Sequence, residues 1–157
     1  MSKSATLLEN TLCTGAAASV ATAVAAAVLG ETEKGKPLGP LNAVSHILWG
    51  DEAAKHNEAS LKYTATGLLL NTAAVTMWAG LYEMLHDRRQ KKDDLAGTLL
   101  DGALVSAAAY ITDYCLVPKR LTPGFELKLS TWALLGIYGV LALSFAAGSK
   151  MHGSDAA

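Results

Sequence analysis

Residues 95–117 read LAGTLLDGALVSAAAYITDYCLV, and the fold class follows from what that run can do. It is long enough to cross a bilayer as a helix, for which about 20 apolar residues are needed. Two carboxylates, Asp101 and Asp113, fall inside it. The basic run Arg88-Arg89-Gln90-Lys91-Lys92 precedes it, and the stiff turn Pro118-Lys119-Arg120-Leu121-Thr122-Pro123-Gly124 follows. Acids within an apolar helix need other helices packed over them, because an ionisable group facing hydrocarbon is costly. The rest of the chain has to supply that cover.

Three further apolar segments are available, so the expected architecture is all-α. It is a four-transmembrane-helix bundle in one integral membrane domain, with spans at about 11–29, 61–85, 95–117 and 125–148 and a polar tail at 149–157. Only 17% of the 157 residues are charged, against about a quarter in an average soluble domain. That charge is crowded into the connections. A soluble helical bundle is the alternative, and it predicts extraction without detergent. The net charge of −1 argues against a nucleic-acid binder, which would need a basic stripe. Cys13 and Cys115 each sit in apolar sequence and fit neither a disulfide framework nor a zinc site.

Thr11–Leu29 is built from Ala, Val, Ser, Thr and Gly. Gly15, Ser19, Ala23 and Ala27 recur every fourth residue and share one helix face, which in lipid lets backbones approach closely. The segment exceeds the 7–15 residues of a signal-peptide core, so a retained first helix is expected. In the connection that follows, Pro40–Trp49 reads as a short helix with Pro40 in its first turn and Gly50 as its stop. Too short to span, it lies on the membrane surface in the first outer loop or caps the bundle. Asp51 is positioned to cap a second short helix through Asn57, with Glu52 and His56 paired. Ser60 is a candidate N-cap for the second span. Asn71 sits near that span's middle and must face the bundle to satisfy its amide. Thr122-Pro123 suits the start of the fourth span.

Short cytoplasmic loops accumulate Lys and Arg. Placing Arg88, Arg89, Lys91 and Lys92 in the cytoplasm puts both termini there too, in a bacterial inner membrane. Asp113 opposes the negative end of its helix dipole, so it calls for a cation, and Arg120 or Lys119 lies across the turn. One reading is an ion pair that fastens the turn; the other is a proton or cation site with Tyr110 and Tyr114 nearby. Asp101 lies about two turns from the inner surface, either wetted there or used in transport. His46 and His56, with Asp51, Glu52 and Glu58, could offer metal ligands, but the loop lacks the compact H-x-x-x-H spacing of a helical site. No nucleophile elbow, Walker A or dinucleotide fingerprint occurs.

Three patches together resemble a group of small, uncharacterised multi-helix bacterial membrane proteins. They are Leu41-Asn42-Ala43-Val44-Ser45-His46 running to Trp49-Gly50, Trp78 running to Tyr82-Glu83, and Asp113-Tyr114 running to Arg120-Leu121-Thr122-Pro123-Gly124-Phe125-Glu126. The resemblance implies topology and no activity. Similar proteins often carry histidines midway along the second span, where this chain has Leu70-Asn71-Thr72.

The leading functional expectation is a non-enzymatic structural or accessory subunit. Its partners would be the lipid bilayer and either a larger membrane complex or further copies of itself, with no cofactor and no nucleic acid. A small proton- or cation-coupled transporter or channel using Asn71, Asp101 and Asp113, with Tyr110 and Arg120 in support, is the second. A metal-dependent membrane enzyme holding its ion through His46 and His56 is the third.

Overall fold

A computed structural model describes residues 3–88 and 94–153, and no strand occurs among them. Six α-helices make up the framework: α1 (Lys3–Lys34), α2 (Gly39–Val44), α3 (His46–Trp49), α4 (Thr66–Asp87), α5 (Leu95–Ile111) and α6 (Thr131–Gly153). A π-helical turn, Leu61–Ala65, leads into α4 and another, Thr112–Leu116, extends α5. Single 3₁₀ turns occupy Asp51–Lys55, Lys119–Leu121 and Phe125–Leu127. The basic cluster Arg89 to Lys92 and the tail from 154 lie outside the described residues.

α1 runs between α4 and α6, α6 also packs along α5, and α5 meets α4. The central helix buries Thr14, Gly15, Ala18, Ser19, Thr22, Ala26 and Gly30. The expected small-residue face holds at Gly15 and Ser19 and then shifts to Thr22 and Ala26, leaving Ala23 and Ala27 half-buried. A stripe repeating every four residues drifts around a helix that turns every 3.6. These small residues bring backbones together. A Cβ on Gly15 would stand 2.9 Å from the Cα of Thr76 on α4, and one on Gly102 would stand 2.4 Å from the carbonyl oxygen of Ala142 on α6.

α1 ends at Gly35, whose φ of 62° reverses the chain at little steric cost. The N–H groups of Gly35 and Lys36 then bond the carbonyls of Glu31 and Gly30. The helix expected over Pro40–Trp49 breaks at Ser45. Its hydroxyl donates to the Asn42 carbonyl at 2.7 Å, so the side chain competes for a helical acceptor. All six residues of α2 are buried against α1, α4 and the Phe125 turn. This short element therefore caps the bundle, while α3 leaves Leu48 and Trp49 exposed. Asp51 caps nothing with its side chain, and the turn it opens stops at Lys55 rather than Asn57.

Ser60 is the N-cap expected, accepting from the N–H groups of Lys62 and Tyr63. The segment expected as a fourth span from residue 125 begins later, at Thr131. Gly124 takes a φ of 87°, so the chain turns through Phe125–Leu127 first. Ser130 then accepts from the Ala133 N–H, which makes Ser130, not Thr122, the helix's capping residue.

Three helical stretches are long and apolar enough to cross a membrane: Lys3–Lys34, Leu95–Leu116 and Thr131–Met151. α4, expected as the second span, has the length at 22 residues but not the apolar composition. The polar residues responsible, Asn71, Tyr82, Glu83 and His86, are all buried, while Leu69 (71% exposed), Met77 and Leu81 project outward. The outer faces of α1, α5 and α6 are likewise apolar, as at Val20, Leu104 and Leu143 (62% exposed). Contiguous exposed apolar surface on this scale marks contact with lipid or other protein.

Candidate functional site

Position along α4 and α5 decides which ionisable groups meet. α4 leaves the bundle through Tyr82, Glu83 and His86, which recur at helical spacing and so point inward together. α5 returns beside it, and the second turn of α5 carries Asp101 on its buried face. Glu83, His86 and Asp101 are 3%, 8% and 2% exposed. His86 Nδ1 lies 3.7 Å from Asp101 Oδ2, a separation too long for a hydrogen bond. That nitrogen has no hydrogen-bond partner among the described residues. Glu83 Oε1 accepts from Thr14 of α1 at 2.6 Å. The Tyr82 ring stacks between His86 and Phe145, and its hydroxyl shares a 2.8 Å bond with Ser149 of α6. His86 and Asp101 thus face each other across α4 and α5, Glu83 lies one turn before His86 on the same buried face and is bonded to α1, and α6 holds the neighbouring Tyr82.

The sequence singled out Asp101 but offered surface wetting as one reading; the structure buries it instead. Glu83 and His86 look like an interface pair at a helix exit and escape notice as site residues. Thr14, 69 positions away in sequence from Glu83, completes the cluster through a contact no local pattern announces.

A second polar group lies about 18 Å along α5, twelve residues on at 1.5 Å each. Tyr138 of α6 donates to Asp113 Oδ2 at 2.5 Å. The rings of Tyr110, Tyr114 and Tyr138 pack with centroids 5.0 to 5.9 Å apart. The expected pairing of Asp113 with Arg120 or Lys119 does not occur. After Pro118, which is extended (ψ 149°), the chain carries Arg120 toward α3, where its guanidinium reaches the Leu48 carbonyl at 3.5 Å. A phenol on α6, nearer than the basic turn, holds the carboxyl instead. Asn71 faces inward, as its amide required, donating to the Ser19 carbonyl and Thr22 Oγ1 of α1, both at 3.3 Å. It fastens α4 to α1 and is not joined to either carboxylate cluster.

The outer-loop histidines serve separate ends. His46 is buried with Nδ1 2.9 Å from the Ala43 carbonyl and Nε2 3.3 Å from that of Lys119, so both ring nitrogens face backbone oxygens. His56 stacks on Tyr63 and donates to Glu58 at 2.5 Å. Among the described residues no group of three His, Cys, Asp or Glu side chains gathers as a metal site would require. The His56 hydrogen bond, helped by the backbone N–H groups of Glu58 and Asn57, draws the Glu58 carboxyl down to about 2. Its contribution to the loop is therefore present above the ordinary glutamate value of 4.5 and is lost as pH falls from there through about 2. A carboxyl ¹³C titration should show Glu58 with a midpoint near 2; a midpoint near 4.5 would mean the contact with His56 is absent in solution.

Comparison with known protein families, with curated proteins and with solved structures gives no match to this chain.

Proposed function

We propose that this chain is a four-helix integral membrane protein that moves protons, with Glu83, His86 and Asp101 as the groups that exchange them. The observation that carries the reading is the burial of two carboxylates and an imidazole within a bundle whose outer faces are leucine, valine and methionine. Ionisable residues inside membrane helices are expensive to keep and mark ion or proton pathways. Imidazole is the side chain best suited to exchange protons near neutral pH. His86 Nδ1, which has no hydrogen-bond partner among the described residues, lies 3.7 Å from Asp101 Oδ2, so the imidazole and a carboxylate stand within one short step of each other.

α4 is assigned to the bilayer with the three more apolar helices because it is about 33 Å long, at 1.5 Å per residue, and turns its polar side chains inward. The basic run Arg88 to Lys92 between α4 and α5 supports a cytoplasmic location for that turn and for both termini. The resemblance noted above supports a bacterial inner membrane.

Reconstituted into liposomes containing a trapped pH indicator, the protein should admit protons down an imposed gradient faster than protein-free vesicles do. Rates equal to those of empty vesicles would overturn the reading. An accessory-subunit role is the second reading, favoured by the close backbone contacts at Gly15, Gly67 and Gly102, which build a stiff body suited to assembly. A stoichiometric companion retained through mild-detergent purification would support that role.

A further inference from the structure

A cavity of about 380 Å³ lies far from the Glu83–His86–Asp101 cluster, between the α4 segment Leu70–Trp78 and the α6 segment Ile137–Leu141. Its roof is the loop cap, through Val44 and Ile47 from the α2–α3 connection and Pro123 and Phe125 from the turn before α6. Ala73, Ala74 and Met77 on its α4 rim are exposed on the lipid-facing side. The space exists because the side chains at 73 and 74 are single methyl groups and because Gly124 lets the Phe125 turn fold over the gap.

The walls are apolar apart from Thr22 and Asn71, which bond to each other, and one charged end, where Asp113 and the hydroxyl-bearing ring of Tyr138 border the space. Tyr138 donates to Asp113 Oδ2, and Oδ1 has no hydrogen-bond partner among the described residues. No described Lys or Arg side chain comes within ion-pair distance of this carboxyl, since Arg120 is turned toward Leu48. The Tyr110 and Tyr114 rings lie beside Tyr138. An anionic acceptor bordered by aromatic faces at the end of an apolar chamber complements a cation with an apolar body.

We propose that this cavity binds a small membrane-soluble amine in its ammonium form, the N–H groups directed at Asp113 Oδ1 and the apolar part lying between Leu70, Trp78, Ile137 and Leu141. The volume is that of a site for one compact ligand and is too small for a two-chain phospholipid. An acyl chain alone would fill the apolar walls but would leave the carboxylate unanswered. The proposal is independent of proton movement through the other cluster and survives if that reading fails.

Calorimetric titration of the full chain in mild detergent tests it, with 4-phenylbutylamine as the probe and 4-phenylbutanol as its neutral counterpart. The amine should bind, and Asp113→Asn should weaken it about ten- to a hundredfold, the scale of one charge-assisted hydrogen bond. The alcohol should bind the native protein no better than the amine binds the variant. Equal affinity for amine and alcohol, an unaffected Asp113→Asn variant, or no binding of the amine would each overturn the proposal. If Asp113→Asn fails to fold, Ala74→Phe gives the same decision. It fills the chamber from an exposed position and should abolish amine binding, and retained binding would refute the site. Displacement of the amine by added phosphatidylethanolamine would likewise refute a small-molecule ligand, in favour of a lipid headgroup.

Discussion

Gly67→Ala is expected to lower the thermal midpoint of the detergent-solubilised protein by several degrees, more than Gly102→Ala or Gly15→Ala. A Cβ at position 67 would lie 1.9 Å from the Leu41 carbonyl oxygen and 3.0 Å from its carbonyl carbon. Both atoms are backbone, within a helix buried on every residue, so no side-chain rotation relieves the clash. Overpacking of this kind costs about 1–3 kcal/mol and sometimes more, which for a chain of this size is roughly 2–4 °C per kcal/mol. At Gly102 the obstacle is again a carbonyl oxygen but at 2.4 Å, and at Gly15 the nearest atom is the Thr76 hydroxyl at 2.7 Å. Gly139 is the control: nothing lies within 4 Å of its added Cβ. Alanine there should be neutral, or stabilising by about 0.5–1 kcal/mol through helix preference. Thermal unfolding of the four variants in one detergent checks the order. A Gly67→Ala protein as stable as the native one would mean that α2 does not sit on α4 as described.

That contact also shows where sequence reading stops. The helical class could be read because long apolar runs alternate with Gly, Pro and charge, and the extent of α5 follows from the same pattern. The cap at Ser60 could be read because a serine at the start of an apolar run has few other uses there. The start of α6 could not, since Thr122-Pro123 and Ser130 are both plausible caps and only the positive φ at Gly124 decides between them. The inward face of α1 was readable in kind but not in register, because small residues crowd all round that helix. The clusters themselves were half visible. Asp101 and Asp113 stand out as acids in apolar surroundings, but their partners come from other helices. Asp113 has its nearest cations in sequence at Lys119 and Arg120, yet the chain after Pro118 carries Arg120 to the Leu48 carbonyl and Tyr138 of α6 holds the carboxyl instead. Local periodicity carries no information on such pairings.

Asp101→Asn separates a working acid from a structural one, because the two roles move flux and stability in different directions. The amide preserves the shape of the side chain and its ability to accept a hydrogen bond, but it has no proton to exchange. If the Glu83–His86–Asp101 cluster moves protons, the liposome rate attributable to the protein should fall about a hundredfold, the lower end of what a positioned proton-transfer group contributes. Stability should hold or rise. Burying a carboxylate carries a desolvation penalty that its partners repay only in part, and a neutral imidazole left beside the amide is no unpaired charge, so the cost of breaking a buried ion pair does not apply. A thermal midpoint unchanged or a few degrees higher, together with lost flux, is therefore the expected pair of results. Were Asp101 there to hold α5 against α4, the midpoint would drop by several degrees while any flux survived. Glu83→Gln extends the comparison. Its amide oxygen can still accept from the Thr14 hydroxyl that bonds Glu83 at 2.6 Å, so packing is retained while the second carboxylate is neutralised. Loss of flux in both variants without loss of stability in either would assign the two acids to one proton route.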